Sequence, residues 1–147
     1  MADVHTKETR SYNMSRIKGK NTKPEILVRK YLFSKGLRYR LHDKRLPGKP
    51  DLVLSKYKTA IFINGCFWHG HVGCRYFVTP KTRTDFWLNK ININVHNDNK
   101  TSCLLEEMEW QIITIWECEL KKEKREKTLS VLVNSIKSKT DNDRFLL

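Results

Sequence analysis

Eleven consecutive residues, Asn64-Gly65-Cys66-Phe67-Trp68-His69-Gly70-His71-Val72-Gly73-Cys74, hold two thiols, two imidazoles and two large aromatic rings. Cys66, His71 and Cys74 follow the spacing Cys-x4-His-x2-Cys, and Cys118 lies just beyond a later apolar run ending at Trp116. Three thiolates and one imidazole are the donor set of a closed tetrahedral zinc site, where protein fills every position and the ion is structural. Such a site would tie an irregular loop to a distant strand end, because metal binding contributes directly to folding. The competing reading is a set of buried free thiols, which cores commonly contain. Three ligands clustered among glycines favour the metal. Cys103 lies outside the set in a helical stretch and reads as core.

His69 is in excess of the four ligands. With an unperturbed pKa near 6.5, an imidazole can take a proton from water at neutral pH, although it can also support or replace a metal ligand. Asp51 follows Pro50 at the start of a strand, and the next strand ends at Ile63. An acid so placed resembles the first acid of the PD-(D/E)xK restriction-endonuclease-like fold, which holds magnesium beside a scissile phosphate. A proline-aspartate pair is equally an ordinary turn. The second acid and lysine of that motif are missing, and Ile63-Asn64 occupies their place, so a main-chain carbonyl would have to substitute. Glu25, three residues after Thr22, reads on its own as half of a capping box.

The elements that must carry these groups can be read from periodicity and turn residues. Ser11 to Lys18 suggests a short basic helix or arm. Thr22-Lys23-Pro24-Glu25 opens a helix that Gly36 stops near Lys35, burying Leu27, Val28, Tyr31 and Leu32. Strands are expected over 38–41, 51–54 and 59–63 as a meander, with Pro47-Gly48 as a turn. A helix over 84–109 is expected to break near Ile91 to Asn94, where β-branched residues and asparagines accumulate. Gln111 to Trp116 suits a central strand, and Lys122 to about Lys137 a last helix with Leu129, Leu132, Val133 and Ile136 inward. The organisation expected is an arm at 1–20, one domain at 21–140 and a loose tail at 141–147.

At 147 residues one core is expected. Lysine and arginine number 29 against 16 acids, a formal charge of +13 that points to a polyanion such as DNA or RNA. The longest apolar run, Thr59 to Ile63, falls far short of the roughly 20 residues of a membrane span, and the N-terminus lacks a signal peptide's apolar core. The cytoplasm, at the bacterial nucleoid, is the expected compartment.

Gly65-Cys66-Phe67-Trp68-His69-Gly70-His71, with Pro80-Lys81-Thr82, Phe86-Trp87, Asn94, Asp98 and Trp116-Glu117-Cys118-Glu119-Leu120, resembles the very-short-patch repair endonucleases. Met14-Ser15-Arg16-Ile17 and Leu46-Pro47-Gly48-Lys49-Pro50-Asp51 extend the likeness over most of the chain. The resemblance implies an α/β, restriction-endonuclease-like core, with a mixed central sheet flanked by helices and a structural zinc site. It implies a monomeric, magnesium-dependent enzyme that nicks double-stranded DNA on the 5′ side of thymine in a T:G mismatch, the product of 5-methylcytosine deamination, with mismatch-repair proteins as further partners. Asp51 and the Ile63 carbonyl would then bind magnesium, His69 would activate water, and Glu25 and Asp98 would support the hydrated metal and water. Phe67, Trp68 and Trp87 would wedge into the duplex, and the segment of Met14 and Ile17 would enter the minor groove. Asn64 stands where this family commonly has a histidine and Asn97 where it has an arginine; an amide can hydrogen-bond metal-bound water but cannot carry a proton. Two alternatives compete with this reading, a restriction-type endonuclease cutting matched DNA and a zinc-stabilised DNA-binding module impaired in catalysis.

Overall fold

The computed structural model describes residues 22–75, 77 and 81–145, with side chains through 138. The expected arm with Met14 and Ile17 lies outside the described residues. Helix α1 spans Lys23–Ser34 with Thr22 at its N-cap and Pro24 in the first turn, where no backbone donor is lost. It stops as expected at Gly36, whose φ of +78° suits glycine. The amide of Leu37 reaches back to the carbonyl of Leu32 at 3.0 Å, satisfying a carbonyl the helix leaves open. The expected capping box does not form, since the Thr22 side chain makes no cap hydrogen bond. Glu25 turns inward instead and is 2% exposed.

Four strands form one mixed sheet in the order β1-β2-β3-β4. β1 (Arg40–Leu41), β2 (Leu52–Leu54) and β3 (Thr59–Asn64) form the expected antiparallel meander, with Leu41 opposite Leu52 and Leu52 opposite Ile61. β4 (Gln111–Trp116) runs parallel to β3, pairing Asn64 with Trp116. Parallel neighbours need a crossover. Helix α2 (Thr84–Glu107) lies in that connection.

β2 is buried along its whole length, whereas β4 sits at the sheet edge rather than the centre expected for so apolar a run. Thr114 is exposed, and only Ile115 of this strand is fully buried. The core joins Val28 and Leu32 of α1, Leu52, Leu54 and Ile61 of the sheet, and Leu129, Leu132, Val133 and Ile136 of helix α3 (Arg125–Phe145). Each such side chain contributes about 1.5–3 kcal/mol by leaving water. Leu27 and Tyr31 pack against the core only partly buried. α3 begins later than expected and runs through Asp141 to Phe145, the stretch expected as loose tail.

α2 is continuous across Ile91 to Asn94, contrary to the expected break. Tertiary contacts outweigh the weak local propensity there. Ile91 is buried beneath the ligand-rich loop, and the Asn94 amide donates to the Trp68 carbonyl at 2.8 Å. A Cβ on Gly70 would lie 2.9 Å from Ile91, so glycine sets the close approach of loop to helix. Cys103 is exposed on α2, not in the core as expected, because the helix turns that face to solvent.

Candidate active site

A cavity of about 480 Å³ opens where α1, β2, β3 and the loop after β3 converge. Glu25, Asp51, Ile63, Asn64 and His69 all line it, with Trp68 and Glu117 at its wall. Six residues singled out from sequence, Trp68 among them, thus share one concavity. Sheet register is the reason: antiparallel pairing sets the start of β2 beside the end of β3, and the Ile63 amide donates to Asp51 Oδ2 at 2.7 Å.

Burial pushes the Asp51 carboxyl above its ordinary 3.8. The Ile63 hydrogen bond opposes that rise, the Glu25 carboxylate adds to it, and His42 and His69 draw it down. A half-buried carboxylate beside a second acid favours a cation in the space they share. Asp51 and Ile63 meet at one wall of this cavity, which fits a hard divalent ion held by oxygen donors.

His69 Nδ1 lies 2.6 Å from Asp98 Oδ2, a contact between the loop and α2. With a carboxylate accepting at Nδ1, the neutral ring carries its proton on that nitrogen and its lone pair on Nε2. Asp98 does not line the cavity itself; its contact with Nδ1 fixes the orientation of the His69 ring. Asn64 is 9% exposed and borders both this cavity and a small cleft shared with Asp98.

On the far side of the loop, the donor atoms of Cys66, His71, Cys74 and Cys118 all lie within 4.8 Å of one another. A tetrahedral ion with metal–sulfur bonds of about 2.3 Å requires ligands about 3.8 Å apart, so the four fit a metal. Cys118 Sγ is 3.5 Å from His71 Nδ1, and the His71 ring stacks on Trp116 with centroids 4.1 Å apart and planes 2° from parallel. Burial, followed by its thiol neighbours, pushes the Cys66 thiol up to about 12, and burial also raises Cys118. Bound metal reverses that direction, because it takes thiolates as ligands.

Phe67, Trp68 and Trp87 form one half-buried cluster with edge contacts at centroid distances of 5.2, 5.6 and 6.0 Å. Phe86 extends it and is 45% exposed. The ammonium of Lys90 lies 5.9 Å from the Trp68 ring, so the cluster faces a basic surface.

The profile described as DNA mismatch endonuclease Vsr matches residues 2–75. The chain is 54% identical over 121 residues to the type II nicking enzyme V.NmeAIP of Neisseria meningitidis serogroup A, covering 82% of this chain and 86% of that one. It is 46% identical over 121 residues to DNA mismatch endonuclease Vsr of Escherichia coli K12, covering 82% and 77%. The chain belongs to the Vsr DNA mismatch endonuclease family. A third relative, the type II nicking enzyme V.XorIIP of Xanthomonas oryzae, is 44% identical over 82% of this chain and 88% of its own. Membership in the Vsr family makes the protein a DNA endonuclease, an enzyme that hydrolyses phosphodiester bonds.

Two residues, one lining the cavity and one contacting Glu25 and Asp51 beside it, escaped the sequence reading as site residues. Glu117 follows β4 and reaches the cavity wall, where its Oε2 would lie 3.6 Å from a Cβ placed on Gly65. His42 sits directly after β1, and its Nε2 is 2.6 Å from Glu25 Oε1. Its signal lay in hairpin register: Leu41 pairs with Leu52, so position 42 faces position 51, and the His42 amide donates to the Asp51 carbonyl at 3.1 Å.

Proposed function

We propose that this enzyme nicks double-stranded DNA on the 5′ side of the thymine in a T:G mismatch, the lesion left by deamination of 5-methylcytosine. The observation that carries the reading is the convergence of Asp51, Glu25 and an Asp98-oriented His69 on one open cavity beside an aromatic cluster. Asp51 and the Ile63 carbonyl would hold magnesium. When bound, that ion would supply Lewis-acid neutralisation of charge on the phosphate.

The protein's own groups do the rest. His69 Nε2 accepts a proton from water as the water oxygen bonds to phosphorus and one phosphorus–oxygen ester bond breaks, the departing sugar oxygen taking a proton from surrounding water to leave as a hydroxyl. Asp98 keeps the imidazole in the accepting tautomer and stabilises the imidazolium that results. Glu25 and Asn64 hold the water around the ion by hydrogen bonds, and Asn64 transfers no proton. Cys66, His71, Cys74 and Cys118 would hold zinc, which serves as a clamp on the loop bearing His69.

Phe67, Trp68 and Trp87 would insert at the mispair. A T:G wobble unstacks more easily than a matched step, so the wedge costs less there, and selectivity follows from deformability. The net charge of +13 supplies phosphate contacts with salt-sensitive affinity. The enzyme would act as a monomer at the nucleoid, with mismatch-repair proteins as partners. Among the described residues no helix is long and apolar enough to cross a membrane.

The test is a nicking assay over a panel of single mismatches in randomised flanks, with magnesium. The expected product is one cut strand from the T:G duplex and none from the matched duplex. Equal cutting of matched DNA would favour a restriction-type activity instead.

A further inference from the structure

Glu25, His42 and Asp51 bring their ligand atoms within 4.8 Å of one another. Three different elements supply them: the first turn of α1, the residue after β1 and the residue before β2. Glu25 and His42 are well enclosed, with side chains 3% and 25% exposed. Their Oε1 and Nε2 atoms approach to 2.6 Å, and both lie within reach of the Asp51 carboxylate. Arg29 Nη1 lies 3.6 Å from the same Glu25 oxygen and can offset one carboxylate. Two carboxylates and an imidazole share the site, a mixed oxygen and nitrogen donor set.

We propose that Glu25, His42 and Asp51 form a mixed nitrogen–oxygen cation site, in which the His42 imidazole is a direct ligand that tunes the enzyme toward a transition-metal ion such as Mn²⁺. The inference rests on the reading that Asp51 carries the catalytic metal, and it adds His42 and a metal preference to that reading. Carboxylates alone suit magnesium, which takes oxygen donors and gives up water reluctantly. An imidazole nitrogen shifts preference toward Mn²⁺ and the later divalent metals. The backbone hydrogen bond from the His42 amide to the Asp51 carbonyl fixes residue 42 beside residue 51, so its position is built into the hairpin.

The test uses zinc-loaded full-length protein, so that the cysteine cluster is filled, and Mn²⁺ as probe. Binding is titrated by the free-Mn²⁺ electron paramagnetic resonance signal, Mg²⁺ affinity is measured by competition, and bound Mn²⁺ is examined for electron spin-echo modulation by nitrogen. Wild-type protein should show ¹⁴N modulation. His42→Gln should abolish it and weaken Mn²⁺ binding by about tenfold or more, with a far smaller change for Mg²⁺. Glu25→Gln should weaken Mn²⁺ binding but keep the nitrogen signal. Unchanged Mn²⁺ affinity in a folded His42→Gln protein would overturn the proposal, as would nitrogen modulation that persists there and so belongs to His69. Asp51→Ala separates the two readings: lost Mg²⁺ binding in that variant, beside unchanged Mn²⁺ binding in His42→Gln, would leave Asp51 as the catalytic ligand and remove His42.

Discussion

Replacing Asp98 probes the catalytic geometry most directly. Its carboxylate accepts from His69 Nδ1 at 2.6 Å, and a hydrogen bond to a charged group is worth about 1.5–3 kcal/mol. The Asp98 side chain is 41% exposed and that of His69 29%, so solvent screening reduces this to about 1–2 kcal/mol. At about 1.4 kcal/mol per decade, Asp98→Ala should lower the single-turnover nicking rate by about 5- to 30-fold with DNA affinity unchanged. His69→Ala removes the proposed base itself and should cost about 10²- to 10⁴-fold. Asp98→Asn is the sharper case. An amide that donates to Nδ1 drives the ring proton to Nε2, where it blocks acceptance from water, so the milder steric change should be the more damaging one. The double variant Asp98→Ala/His69→Ala should be no slower than His69→Ala, because Asp98 acts only through His69. Rates that multiply in the double variant, or an Asp98→Asn enzyme faster than Asp98→Ala, would refute this account of the dyad.

Other consequences follow from burial and packing. The raised Asp51 pKa means that the native state holds the proton more tightly than the unfolded chain, so metal-free stability falls as pH climbs from 3.8 through the raised value; Asp51→Asn should flatten that fall in a thermal-melt series and abolish nicking. Saturating divalent ion at about 100 times its Kd should stabilise wild-type protein by about 2.7 kcal/mol, a Tm rise of about 5–11 °C in calorimetry that is absent in Asp51→Asn. Because burial raises the Cys66 and Cys118 thiols, zinc uptake at pH 7 should release about three protons, one from each of Cys66, Cys74 and Cys118, detectable by calorimetry in buffers of different ionisation enthalpy. Trp68→Ala should keep the fold but lose about 1–3 kcal/mol of binding to T:G duplexes in a fluorescence titration, with little change for matched DNA.

The sequence made the metal cluster legible because three of its four ligands are close in the chain, and only Cys118 had to be brought from afar. The meander was legible for the same reason, since turn residues at Pro47-Gly48 punctuate adjacent strands. β4 misled because a nearly continuous apolar run reads as buried on both faces, whereas the structure leaves it at the edge with Thr114 exposed. The break expected in α2 failed because Ile91 and Asn94 are spent on the loop above them, a contact that local propensity cannot register. Asp98 entered only through family resemblance, since nothing in its own neighbourhood marks a partner 29 residues away. His42 was invisible because its meaning depends on which residue the hairpin sets opposite it.

The cavity and the cysteine–histidine cluster are mechanically joined by the end of β3. Asn64 closes that strand at the cavity, and Cys66, two residues on, is already inside the cysteine cluster. Between and beyond them, the His69 amide bonds to the Gly65 carbonyl at 3.2 Å and the His71 amide to the Cys66 carbonyl at 2.9 Å. His69 therefore lies on a turn clamped at one end by β3 and at the other by His71 and Cys74. From below it is braced by Ile91 against Gly70, and from the side by Asp98. A glycine-rich loop would otherwise sample many conformations, and fixing each residue costs about 1–2 kcal/mol of conformational entropy. Under the proposed function, clamping by a structural metal would hold the imidazole of this short irregular segment steady enough for proton transfer. That reading accounts for donor residues and His69 alternating along one short stretch of chain instead of lying on separate, independently stable elements.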